Sequence, residues 1–270
     1  MRADRPPPPD ELTVATVKVD TEDRVCRISL NRAERLNALG EQVRTELHSA
    51  IRSLADNDVI GVVVIQGEGK SFSAGADLRE NRVLPKTWTA RRIVSGRWQR
   101  LLDDLESLPQ VTVAVLRGHV IGGAALLAAA CDLRIGARDL SLSIPELAIG
   151  IPLTWAGLPR LVREIGLPRT RELVMTGRTV SGDEAHQWGL VQRLVEPENL
   201  DWAADQLVSE LAVMPAGPLA MTKSALSAMG RSGLPTGWAD PDLLAWSLTD
   251  PEAVAARADY KRRRLSKKGH

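Results

Sequence analysis

One pattern limits this chain's architecture more than any other: a short apolar strand running into a small-residue turn, repeated along its length. Residues 59–66 are a continuous apolar run, the mark of a buried strand. Residues 111–116 repeat it, and 133–137 and 140–143 add two more strands. Before them, 14–19 and 25–30 are β-branched and alternating around polar 21–24, which predicts a hairpin. Leu39, Val43, Leu47, Ile51 and Leu54 recur at helical spacing and predict a helix over 40–55. Further helices are predicted over 91–107 and 122–130. Strand, strand, helix, repeated, argues for a mixed α/β architecture of stacked ββα units. From Glu164 onward the reading is almost wholly helical, over 167–176, 181–189, 200–213 and 218–229, with one or two more helices from Pro241 to the end. Ser181 and Glu184 have the spacing of a capping box. The chain therefore divides into a proline-stiffened, disordered tail (1–12), a ββα core (13–200) and a helical C-terminal region (201–270).

With 270 residues, 44% of them hydrophobic, the chain can bury a large core without disulfides or metals. A net charge of +1 gives no electrostatic footprint for nucleic acid or a membrane surface. Cys26 and Cys131 sit among apolar residues and read as reduced, buried thiols of a cytoplasmic protein. The start of the chain has no apolar signal segment, and the most apolar stretch, 111–130, is broken by Arg117, Gly118 and His119. The four histidines lack ligand spacing, so no metal site is expected. The seven tryptophans lack periodicity and read as packing residues, and the basic terminus, 261–268, as a solvated face.

Chemistry points to two turns. Lys-Ser-Phe-Ser-Ala-Gly-Ala-Asp-Leu (70–78) and the glycine turn from Gly118 through Gly122 and Gly123 each follow a buried strand, and each is predicted to open into a helix. Small residues there let a ligand approach the backbone itself. At a helix start the N–H groups are unpaired, so two such turns brought together can bind one anionic oxygen. Neither turn fits a nucleotide-phosphate fingerprint. Either one alone is a tight turn and nothing more.

Together the motifs resemble the enoyl-CoA hydratase/isomerase (crotonase) superfamily. Residues 70–78 are similar to its F-x-A-G-x-D loop, and 118–132 to its G-x-x-x-G-G turn and helix ending in Cys-Asp. L-N-R-A-E-R-L-N-A-L (30–39), S-I-P-E-L-A-I-G-I-P (143–152) and 176–191 resemble three further segments, all in family order over about 25–195. The resemblance implies a ββα spiral core with a C-terminal region that builds homotrimers or hexamers. It implies an acyl-CoA substrate and no resident cofactor, coenzyme A arriving as part of the substrate. The Ala76 and Gly123 N–H groups would hold the thioester oxygen while an enolate forms. Ala74 would offer its carbonyl to adenine and Leu36 would line the pantetheine path, with Asp77, Leu78 and Gly122 alongside.

The side chains depart from the hydratase pattern. Hydratases of the family carry two glutamates; here one position is Leu126 and the other is Glu146. Leucine cannot move a proton or orient water. A single acid can still take a proton from one carbon and return it at another. The resemblance thus favours isomerisation of 3-enoyl- to 2-enoyl-CoA, with Glu146 catalytic. The alternatives are an enoyl-CoA hydratase of fatty acid β-oxidation with a substituted second acid, and a CoA-thioester-binding protein without catalysis. Trp155 stands where the family has small residues and is expected to narrow the acyl pocket beside Leu126. Arg257 and Tyr260 replace the family's usual C-terminal contacts to CoA and read as solvated or packing residues. His119 reads as packed, Asp77 as a cap for a following helix, and Asp132 as the end of its helix.

Overall fold

Parallel strands supply the frame. The computed structural model describes residues 15–80, 85–231 and 240–266, so the predicted tail at 1–12 lies outside the described residues. The chain opens with the hairpin β1 (Val17–Glu22) and β2 (Val25–Leu30), turning at Asp23 in a left-handed conformation. Helix α1 (Glu41–Leu54) and β3 (Val62–Gly67) follow, then α2 (Trp88–Ser95), α3 (Arg97–Ser107) and β4 (Val111–Leu116). Next come β5 (His119–Ile121), α4 (Gly123–Ala129), β6 (Leu133–Ala137) and β7 (Ser141–Ser143). A 3-10 turn at Glu146–Ile149 leads to α5 (Gly157–Thr176), β8 (Val180–Ser181), α6 (Gly182–Gln187) and β9 (Arg193–Val195). Among the described residues four helices follow: α7 (Leu200–Ala212), α8 (Ala216–Arg231), α9 (Asp240–Ser247) and α10 (Pro251–Ser266).

The larger sheet has the order β1-β2-β3-β4-β6-β9, parallel except for the opening hairpin. Its central strands are mostly apolar because both faces are covered, with Thr112 and Arg134 the buried polar exceptions in β4 and β6. Ile65, Ala114 and Leu116 face a core with Leu47 and Ile51 of α1 and Leu101 and Leu105 of α3. Val62, Val64, Val113, Val115 and Ile135 face Leu200, Ala204, Leu207 and Val208 of α7. A second sheet, β5-β7-β8, lies beside it and carries the glycine turn.

Two sequence expectations are corrected. The helix predicted over 91–107 is two helices that part at Gly96, where a side chain would crowd Arg100 and Pro241. The helix predicted over 167–176 forms: Gly157–Thr176 is two helical segments that meet at a kink, with Gly166 (φ 75°, ψ 162°) non-helical between them and Pro168 in the first turn of the second. The stretch after Glu164 also holds β8 and β9, which extend the two sheets. The Ser181 cap forms, with its hydroxyl accepting from the Glu184 N–H. The Glu184 carboxylate pairs with Arg178 in place of a return bond.

Candidate active site

Turn 70–77 and the glycine turn are zipped together by backbone bonds. Phe72 N donates to Arg117 O (2.8 Å), Ser73 N to His119 O (2.9 Å) and Ile121 N to Ser73 O (3.1 Å). Gly122 N then donates to Ser143 O (2.8 Å), which brings in the strand leading to Pro145 and Glu146. Three segments distant in sequence thus lie side by side. Glycine is required where they touch. Gly75 has φ 79°, and a Cβ there would sit 2.3 Å from Ile121 O. A Cβ on Gly122, at φ 57°, would sit 2.4 Å from Glu146 Oε1. One on Gly123 would sit 2.3 Å from the Trp155 ring.

Among the described residues, neither the Ala76 N–H nor the Gly123 N–H donates to a protein acceptor. Ala76 is bracketed by bonds that use its neighbours instead, Leu39 N to Gly75 O and Asp77 N to Leu39 O. Gly123 is the first residue of α4, so its N–H lies at the positive end of that helix. Ala74 donates its N–H to Leu36 O (2.8 Å) and leaves its carbonyl without a protein donor among the described residues. Leu36 is left-handed at φ 51° and 37% exposed, at the mouth of this loop.

The Glu146 carboxylate lies against Gly122 of the glycine pair. Glu146 is half-buried, yet its carboxylate Oε2 is sealed and has no hydrogen-bond partner among the described residues. Burial pushes its pKa up to about 7, opposed in part by a bond from its own backbone N–H. Helix α10 lies against this turn, with Ala253 O 2.4 Å from where a Cβ on Gly150 would stand. Arg257, one turn along α10, donates to Ser247 O (2.9 Å) while its buried Nε has no partner. Burial lowers its pKa.

Leu126 is 1% exposed, its δ carbons 2.8 and 2.9 Å from where a Cβ on Gly157 would be. It therefore seals α4 against α5. Trp155 is buried and stacks on Trp98 of α3 with centroids 4.8 Å apart. Asp77 does not cap a helix: 77–80 is a turn, with Asp77 Oδ1 accepting from Arg79 N (3.0 Å). Its carboxylate also pairs with Arg32 (3.0 Å) and Arg35 (3.9 Å), tying the loop to the 3-10 turn Ala33–Arg35. Leu78 is half-buried in the same turn.

His119 is exposed, not packed; its backbone carbonyl does the pairing. Trp88, Trp202 and Trp246 are also exposed, contrary to a packing role for every tryptophan. Asp132 follows α4 as expected and binds Thr112 N (2.7 Å) and Lys223 (2.7 Å). No group of three metal-ligating side chains occurs among the described residues, and no described helix is long and apolar enough to cross a membrane. Cys26 and Cys131 are free and buried.

The sequence reading missed Asn37. It is 1% exposed, donates from Nδ2 to Glu68 O (2.9 Å) and Ser71 O (2.8 Å), and accepts from Arg32 N (2.9 Å). Its carbonyl accepts from the Ser73 hydroxyl (2.7 Å), which in turn accepts from Gly75 N (3.1 Å). Asn37 and Ser73 together fix the turn on which Ala76 sits. A polar side chain between Leu36 and the apolar Ala38 and Leu39 was the available signal.

A family model described as enoyl-CoA hydratase/isomerase matches residues 20–246. The chain belongs to that family. A Mycobacterium bovis relative named "Probable enoyl-CoA hydratase echA8" is 34% identical over 84% of this chain and 86% of its own. A mitochondrial relative of Dictyostelium discoideum, also named for enoyl-CoA hydratase, is 30% identical over 79% of this chain and 76% of its own. Among solved structures, an enoyl-CoA hydratase from Mycobacterium avium subsp. paratuberculosis superposes with a TM-score of 0.84 at 25% identity, covering 93% of this chain and 97% of its own. A Thermobifida fusca member, solved in complex with acetoacetyl-CoA, gives 0.74 at 30% identity over 95% and 97%. Family members are enzymes, and the architecture expected from the motifs, a ββα core followed by helices, is the one observed.

Proposed function

We propose that this enzyme binds an acyl-CoA thioester and moves a double bond from the 3- to the 2-position through an enolate, with Glu146 relaying the proton. The observation that carries the reading is the placement of one sealed carboxylate against Gly122, next to the free N–H of Gly123. The thioester oxygen takes the Ala76 and Gly123 N–H groups. Negative charge gathers on that oxygen when a proton leaves the chain, so two fixed donors stabilise the enolate more than the starting ester. Loss of one such donor costs other enzymes about a hundred- to a thousandfold.

Glu146 supplies the proton transfer. A carboxyl with a pKa of about 7 holds both protonation states near neutral pH, so it can remove a proton from one carbon and deliver it to another. Hydration asks for more: a water must be held, deprotonated and matched by proton delivery to the α-carbon. Leu126 offers no polar atom for this and is committed to packing on Gly157. The Ala74 carbonyl is open to the adenine amino group and Leu36 to the pantetheine arm, with Asp77 and Leu78 shaping the loop between. The bound acetoacetyl-CoA of the Thermobifida fusca neighbour supports a CoA thioester as the ligand class.

A hydratase is the second reading, favoured by the names of the relatives. Paired assays decide: isomerisation of a 3-enoyl-CoA that vanishes in Glu146→Gln supports the first, and efficient hydration of crotonyl-CoA supports the second. The same family likeness, with Trp202, Met221 and Met229 exposed on α7 and α8, supports a trimeric or hexameric assembly.

A further inference from the structure

We infer that Trp155, stacked on Trp98, caps the acyl end of the site and restricts the substrate to short acyl groups. The inference rests on the acyl-CoA reading above. Two consecutive glycines face two different walls. Gly122 faces the Glu146 carboxylate, and Gly123 faces the Trp155 ring, with Cζ3 at 2.3 Å and Cη2 at 2.7 Å from an ideal Cβ. A thioester oxygen on the Gly123 N–H, with its reacting carbons at Glu146, therefore has the indole as its neighbour.

That wall is built to stay in place. Trp155 and Ala156 are both left-handed, at φ 61° and 52°, a conformation that favours glycine. Strain of this kind persists where the surroundings over-determine it, as they do here. The Trp155 carbonyl accepts from Arg160 Nη1 (2.5 Å), and the Ala156 N–H donates to Asp240 Oδ2 (2.6 Å). Arg160 is itself buried and paired with Asp103 (2.6 Å) and Glu106 (2.9 Å). Beneath the ring, Trp98 lies nearly parallel, at 14°. The rings are 8% and 4% exposed, so the pair fills its space. A long acyl tail has to displace one or both indoles from a close-packed setting, and a short one does not.

The test is calorimetric titration of the full-length protein with butyryl-CoA and decanoyl-CoA, for the wild type, Trp155→Gly and Trp98→Leu. Glycine suits the left-handed backbone at position 155, and leucine at 98 thins the wall from α3 while leaving residues 153–156 unsubstituted. The wild type is expected to prefer butyryl-CoA by about tenfold or more, the scale that one badly fitting methylene carries in an apolar pocket. Each folded variant should cut that preference by about tenfold. Circular dichroism checks the fold, and if Trp155→Gly does not fold, Trp98→Leu decides. A wild type that binds decanoyl-CoA as tightly as butyryl-CoA overturns the cap while leaving the acyl-CoA reading standing. So does a folded variant with an unchanged ratio. A wild type that binds neither thioester overturns the acyl-CoA reading and the cap with it.

Discussion

Glu146 should cost the fold stability wherever it is charged, and Glu146→Gln measures how much. Burial raises its pKa from 4.5 to about 7. The folded state therefore binds a proton that the unfolded state has released, and stability falls as pH rises through this window. The penalty is absent below pH 4.5, grows between the two values, and is full above pH 7. At 1.36 kcal/mol per pKa unit the shift amounts to about 3 kcal/mol. Glutamine keeps the shape but does not titrate. Its amide still meets a pocket without a partner for Oε2, so the variant's absolute stability is the wrong quantity to compare. The difference between wild type and variant, followed by urea unfolding from about pH 4 to pH 8, isolates the one carboxyl. The wild type should lose about 3 kcal/mol more than Glu146→Gln across that range. Parallel pH dependences would show that Glu146 is solvated, and the argument from its burial would fail.

Three further outcomes follow from the geometry. Gly122→Ala places a methyl on the Glu146 carboxylate at a left-handed position and should lower turnover by about a hundredfold or more while circular dichroism stays native; full activity would show that the carboxylate is mobile. Asn37→Ala removes the pin under the Ala76 turn and should destabilise the protein by about 1–3 kcal/mol in urea unfolding; a change within error would mean that solvent or neighbours satisfy those groups. Light scattering should give the mass of a trimer or hexamer; a monomer would leave the exposed Trp202, Met221 and Met229 unexplained.

Much of the frame was legible because burial on both faces leaves a signature in the sequence. Strands Val111–Leu116 and Leu133–Ala137 match their predicted bounds to the residue, since charged or amide side chains flank both, Gln110 and Arg117 around the first and Asp132 and Arg138 around the second. Helix ends were less legible. Gly96 is a weak helix former and so carries a local signal for the break, and the close approach of Pro241 from α9 reinforces it. Gly166 and Pro168 carry signals that the structure obeys, since the first half of α5 ends at the non-helical Gly166 and a second half starts there. In the site, the two turns could be named from their small residues, but their juxtaposition depends on backbone bonds between segments far apart in the chain. Nothing local marks Trp98 as the partner of Trp155, Asn37 as a pin, or Glu146 as sealed. Each property is conferred by residues from other elements.

On the proposed reading, one half-buried glutamate beside one N–H pair relays a proton without hydrating its substrate. The most direct test supplies purified protein with a 3-enoyl-CoA and, separately, with crotonyl-CoA, and follows the products by chromatography. Conversion of the 3-enoyl to the 2-enoyl thioester is expected, lost in Glu146→Gln, with little or no 3-hydroxybutyryl-CoA formed from crotonyl-CoA. Rapid formation of 3-hydroxybutyryl-CoA by the unmutated protein would contradict it.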